Sequence, residues 1–183
     1  MRAFIAIELS KEIRENLKCL EDRLSDIIHG IKWIQPDNIH LTLKFLGNIE
    51  EVKIPAIKNI LDDIAKDNGP FKLRISNLGT FPSPSKPRVI WVGIDSGEKE
   101  CAKIASDIED RLIALGVEKE ARNFHPHLTL ARIKFLHNKF SVTTALAAID
   151  IRPEEMKVTK LTLFRSDLTS QGAIYQKLYS AQL

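Results

Sequence analysis

An α+β fold is predicted by three observations. Strand-like and helix-like hydrophobic periods alternate along the whole 183-residue chain, no low-complexity linker interrupts them, and one four-residue strand pattern occurs once in each half. The elements leave room for one sheet per half. At 44% hydrophobic and 28% charged, the chain has the makeup of an ordinary globular protein, long enough to bury a core, which excludes a disordered or collagen-like polymer.

Residues 2 to 9 read as a strand. Between Ser10 and Gly30, residues Ile13, Leu17, Leu20, Leu24 and Ile27 form one apolar stripe on a helix, which Ser10 caps and Gly30 ends. A second helix spans Glu51 to Lys66 with Ile57, Leu61 and Ile64 inward; Pro55 is tolerated near its first turn, and Asn68, Gly69 and Pro70 stop it. Strands follow at Phe71 to Ser76 and Arg88 to Ile94, separated by GTFPSPSKP, whose three prolines oppose a continuing ladder. A third helix, Glu98 to Leu115, carries Cys101, Ile104, Ile108 and Leu112 on one face and ends at Gly116. A strand around His127 to Ile133, a short helix near Val142 to Ala148, and strands near Val158 to Phe164 and Ala173 to Tyr179 complete the chain.

The N-terminal MRAFIAIELSKEIR has only a few apolar residues before Glu8 and no small-residue cleavage pattern, and no run is long enough to span a bilayer. A cytoplasmic location is the expectation. Cys19 and Cys101 form no CxxC and neighbour no histidine pair, so both are read as helix-face packing residues.

The formal charge of +3 hides an uneven distribution. No Asp or Glu occurs in four stretches, Asn38 to Ile49, Asn68 to Ile94, Ala121 to Ile149 and Met156 to Ser166, which together carry +12 while the rest of the chain sums to −9. Brought together in space, these stretches make a positive field suited to a phosphate-bearing ligand; the alternative is that buried strands simply exclude carboxylates.

The repeated pattern is His40-Leu41-Thr42-Leu43, which returns as His127-Leu128-Thr129-Leu130. The chain's own composition makes even one copy a roughly 0.003 event. In an extended strand Ile39, Leu41, Leu43 and Phe45 face one side and His40, Thr42 and Lys44 the other; Leu128 and Leu130 turn inward while His127, Thr129 and His125 turn outward. Each half thus displays an imidazole with a hydroxyl two residues on. Two such pairs facing across a cleft suit a phosphate: the hydroxyls hold its oxygens and the imidazoles, with an ordinary pKa of about 6.5, serve as acid and base.

Two alternatives stand beside this reading. His125 and His127 form an HxH pair that, with His40 as third ligand, points to a metal-dependent phosphoesterase, although no carboxylate or cysteine lies near either motif in sequence. The basic stretches also fit a non-catalytic RNA-end binder. There is no GxSxG, no cysteine beside a histidine, and no Walker loop or GxGxxG, so acyl-enzyme and ATP-driven chemistry lack support.

The paired motifs resemble the HxTx signatures of the two-histidine (2H) phosphoesterase superfamily, and within it the RNA 2′,3′-cyclic phosphodiesterases, also called 2′-5′ RNA ligases. RAFIAIEL, HLTLKFLG, FPSPSKPRVIWVG, HPHLTLAR, LTLFRSDL and GAIYQKL resemble family features in family order, over essentially the whole chain. The resemblance implies a single domain over residues 1–183, made of two similar, pseudo-two-fold lobes, with two antiparallel sheets lining a central groove and helices outside. It implies hydrolysis of RNA 2′,3′-cyclic phosphate ends to 2′-phosphomonoesters without metal or cofactor, with 2′-5′ ligation of tRNA halves as the reverse reaction, and no membrane or protein partner. By the same analogy His40 is the proton donor, His127 the proton acceptor, and Thr42, Thr129 and Arg132 bind the phosphate. Phe4 and Phe45 are candidates to stack a base, and Phe45, on the inward face, is expected in the core.

Overall fold

The computed structural model describes residues 1–134, 139–170 and 172–183. Along the chain they form β1 (Arg2–Glu8), α1 (Lys11–Ser25), β2 (Lys32–Trp33), β3 (His40–Asn48), α2 (Ile54–Asp67), β4 (Phe71–Phe81), β5 (Val89–Ser96), α3 (Glu98–Leu112), β6 (His127–Arg132), α4 (Lys139–Ala148), β7 (Glu154–Val158), β8 (Lys160–Leu168) and β9 (Ala173–Gln182). The α+β class holds, and no helix among the described residues is long and apolar enough to cross a membrane.

Local chemistry accounts for the helix ends. The Ser10 hydroxyl accepts the Ile13 N–H at 3.3 Å and opens α1, whose stripe of Ile13, Leu17, Leu20 and Leu24 is buried. The helix stops at Ser25, short of Gly30, so helical spacing no longer governs the next residues: Ile28 turns inward and Ile27 is left exposed. Pro55 sits in the first turn of α2, where its missing N–H has no intrahelical acceptor to lose. Cys101 is buried on α3 as the stripe requires, whereas Cys19 is exposed and packs no core.

The strands pair antiparallel in the order β7-β4-β5-β6-β3-β1-β8-β9, and β2 takes up the remaining edge of β6. The halves anticipated from the repeat are therefore hydrogen-bonded into one sheet, through β3 and β6. Read outward from that junction, β3 corresponds to β6, β1 to β5 and β8 to β4. Strand β4 runs five residues past the expected end at Ser76, with Gly79, Thr80 and Phe81 opposite Trp91, Ile90 and Val89; the strand ends only at Phe81, before Pro82. Gly79 is required there because the Trp91 ring lies over it, and a Cβ would come within 2.2 Å of that ring. The strand expected from Val158 to Phe164 is two strands, β7 and β8, divided at Thr159, and the two-residue β2 carries no periodic signal.

The main core lies on the helix-covered face, where α2 packs on β8, β9 and α3, and α3 on β3 and β5. The opposite face carries a separate small cluster of Phe4, Ala6 and Phe164 with Tyr175 against it. This second cluster underlies the first histidine.

Candidate active site

Both motif strands carry a β-bulge at the same place. In β3, Thr42 pairs with Ala6 and Lys44 with Ile5, leaving Leu43 unpaired; in β6, Thr129 pairs with Trp91 and Ala131 with Ile90, leaving Leu130 unpaired. An unpaired residue reverses the alternation beyond it. His40, Thr42, His127 and Thr129 therefore keep the groove-facing positions expected of them, but the residues directly after the bulge are inverted. Lys44, expected beside His40 on the open face, is 3% exposed and reaches α3, while Phe45, expected in the core, is 55% exposed on the groove. Arg132 emerges in the same way at the equivalent position of β6.

The groove has a volume of about 1030 Å³, and His40, Thr42, His125, His127, Thr129 and Arg132 all line it. Every residue singled out as catalytic or phosphate-binding is thus in one cavity. Each histidine is fixed by a bond to the carbonyl two residues earlier: His40 Nδ1 lies 2.8 Å from the Asn38 oxygen and His127 Nδ1 lies 2.6 Å from the His125 oxygen. A carbonyl can only accept, so Nδ1 carries the proton in both rings and the neutral imidazoles present a free Nε2 lone pair. No described residue engages the hydroxyl of Thr42 or Thr129, and Arg132 has no carboxylate partner among the described residues.

Aromatic rings hold both imidazoles. Phe4 stacks on His40 at 4.6 Å and 24°, and Tyr175 meets the same ring edge-on at 5.2 Å. Phe81 meets His127 edge-on at 5.0 Å, and the His125 ring lies nearly parallel to it at 6.3 Å. Phe4, a candidate base-stacker, is thus 3% exposed and already occupied by His40. Burial among these rings pushes His40 down to about 4, with the Arg132 charge adding to it and the Asn38 carbonyl opposing. His127 is lowered by burial too, and by the neighbouring His125 and Arg132. One guanidinium therefore acts on both histidines.

The charge field differs from expectation. Five of the twelve basic residues of the acid-free stretches meet carboxylates from outside those stretches: Lys44 meets Glu109, Lys72 meets Glu155, Arg74 meets Asp95, Lys160 meets Glu8 and Arg165 meets Asp167. Cations on the groove without such a partner among the described residues are Arg88, Arg122 and Arg132. The metal alternative finds no third ligand, since no three His, Cys, Asp or Glu side chains converge among the described residues. Tyr175, Phe81 and Trp91 were not singled out in the sequence, where a lone aromatic on a strand reads as core.

A family model described as LigT like Phosphoesterase matches this chain twice, over residues 7–91 and 92–175. An RNA 2′,3′-cyclic phosphodiesterase of Aquifex aeolicus is 36% identical over 177 residues, 96% of this chain and 93% of the relative. One of Methanothermobacter thermautotrophicus is 31% identical over 176 residues, 96% of this chain and 95% of the relative. Among solved structures, TT0787 of Thermus thermophilus superposes with a TM-score of 0.83 at 27% identity, covering 100% of this chain and 98% of the other. Escherichia coli LigT complexed with 3′-AMP gives 0.78 at 26% identity, covering 100% and 97%.

Proposed function

The chain belongs to the LigT-like phosphoesterases of the two-histidine family, and from that premise we propose that it is an RNA 2′,3′-cyclic phosphodiesterase yielding 2′-phosphomonoesters. The observation that carries this reading is the pair of imidazoles with Nδ1 committed to a carbonyl, sharing one groove with two unengaged threonine hydroxyls and Arg132.

The proton inventory follows. Water attacks the phosphorus while His127 Nε2 takes its proton; the bond from phosphorus to O3′ breaks, and His40 Nε2 gives a proton to O3′. The phosphate stays on O2′, and the two histidines end with their protonation exchanged. Thr42 and Thr129 donate to non-bridging oxygens, and Arg132 offsets the charge that builds on them in the transition state. His40 must be protonated to act as acid, although burial disfavours its charged form in the free protein. The cyclic phosphodiester is itself an anion, so its arrival stabilises the imidazolium and loads the acid only when substrate is bound.

The whole of residues 1–183 is read as one functional domain of two lobes, each supplying a histidine, acting in the cytoplasm on RNA ends such as those of tRNA halves. With an RNA 5′-hydroxyl terminus attacking in place of water, the same groups form a 2′-5′ linkage, and the cyclic ester supplies the free energy. His40→Ala and His127→Ala are each expected to abolish turnover of a nucleoside 2′,3′-cyclic phosphate; undiminished activity in both removes the two-histidine mechanism.

A further inference from the structure

We propose that Asn38 is a positioning residue for the proton donor: its side-chain amide, anchored to strand β9, holds in place the backbone carbonyl that fixes the His40 ring. The proposal rests on the cyclic-phosphodiesterase reading and adds what keeps the acid in its working tautomer. Three observations carry it.

Asn38 ends the short 3-10 turn Pro36–Asn38 and bonds His40 and β9 with two different groups. Its carbonyl lies 2.8 Å from His40 Nδ1, while its side-chain amide nitrogen donates to the Ala173 carbonyl at 3.1 Å, 135 residues away along the chain. Strand β9 also supplies Tyr175, whose ring meets His40 edge-on, so Asn38 ties the carbonyl and the ring that hold one imidazole into a single unit. The second half shows why such a tie is needed. There the orienting carbonyl belongs to His125, and Pro126 follows it; a proline fixes its own φ and restricts the residue before it to extended backbone, so the chain itself sets that carbonyl. Ile39 occupies the matching place in the first half and imposes neither restriction, and the Asn38 amide supplies from β9 the constraint that Pro126 supplies locally. Finally, the Asn38 carbonyl counters the effect of burial at His40 and favours the imidazolium that proton donation needs, so its placement bears on the chemistry and not only on the fold.

Two variants test the tie. Asn38→Ala removes it, and Asn38→Asp keeps its shape while replacing the donated N–H with an acceptor that the Ala173 carbonyl cannot use. Both should lower kcat on a nucleoside 2′,3′-cyclic phosphate about 10- to 100-fold, the scale of a displaced catalytic group, with KM within about twofold. Nitrogen NMR of the imidazoles in the free protein, above the ordinary imidazole range of pH, reads the positioning directly. Wild-type His40 should carry its proton on Nδ1; in both variants a fraction should move to Nε2, while His127 keeps its proton on Nδ1. Wild-type kcat in Asn38→Asp, an unchanged His40 tautomer in both variants, or an equal disturbance of His127 overturns the proposal. A lowered unfolding midpoint with kcat and the His40 tautomer unmoved also overturns it, because the residue then serves the fold alone. Should the wild-type protein hydrolyse no cyclic ester, the activity reading fails while the tautomer arm still judges the tie.

Discussion

Leu41 and Leu128 face each other across the junction of β3 and β6, the registered pair through which these two strands meet. Each directly follows a motif histidine, and each is fully buried. The apolar half of the repeat is therefore what sets the two imidazoles on neighbouring strands, while the polar half faces the groove.

Truncating this pair should loosen the junction itself. Leu41→Ala or Leu128→Ala is expected to cost about 2–5 kcal/mol, the range for deleting a buried leucine side chain. Urea unfolding midpoints measure it, and a loss below about 1 kcal/mol in both would mean the junction does not depend on them.

Lys44 tests a second link between the halves. Its side chain is 2% exposed, and its ammonium lies 2.8 Å from a Glu109 carboxylate oxygen and donates to the Glu118 carbonyl at 2.7 Å. Glu109 in turn accepts the Glu120 N–H, so the pair pins the segment that leads into the second motif. Lys44→Met leaves a poorly solvated carboxylate behind and should cost about 3–5 kcal/mol, whereas Lys44→Met combined with Glu109→Met should recover most of it. A double mutant no more stable than the single one would contradict this.

The pH dependence of the rate separates free protein from complex. Both histidines are held below the ordinary imidazole range, so kcat/KM, which reports the free enzyme, should peak on the acid side of pH 6.5. Bound anion stabilises the imidazolium, so the bell for kcat should lie at higher pH. Superimposable profiles would show that substrate does not load the acid.

Stability should follow pH in the same sense. Unfolded His40 takes up a proton near pH 6.5, but the folded form resists until about 4. Its contribution is therefore complete above 6.5 and lost as pH falls from 6.5 towards 4, with His127 acting in the same direction. His40→Asn should flatten the fall in unfolding midpoint over that window; an unchanged slope would contradict it.

The spacing of His40, Thr42, His127 and Thr129 was legible in the sequence because strand alternation is a property of one segment. What followed the motifs was not, because a bulge belongs to a pair of strands: nothing in KFLG taken alone says that Leu43 has no partner on β1. The inversion sent Lys44 into the protein and brought Phe45 out, reversing both assignments. The +12 of the acid-free stretches overstates the field for a similar reason, since Glu109, Glu155 and Glu8 reach Lys44, Lys72 and Lys160 from distant segments. The expectation that β4 ends at Ser76 fails for a different reason. Gly79 resembled the start of a loop, and only the Trp91 ring lying over it explains a glycine inside a strand.

The central claim is tested most directly by incubating the protein with an RNA bearing a 2′,3′-cyclic phosphate end, in the presence of a chelator, and determining which hydroxyl retains the phosphate. The two-histidine account predicts turnover to a 2′-phosphate and a free 3′-hydroxyl. Loss of turnover on chelation, or a 3′-phosphate product, would contradict it.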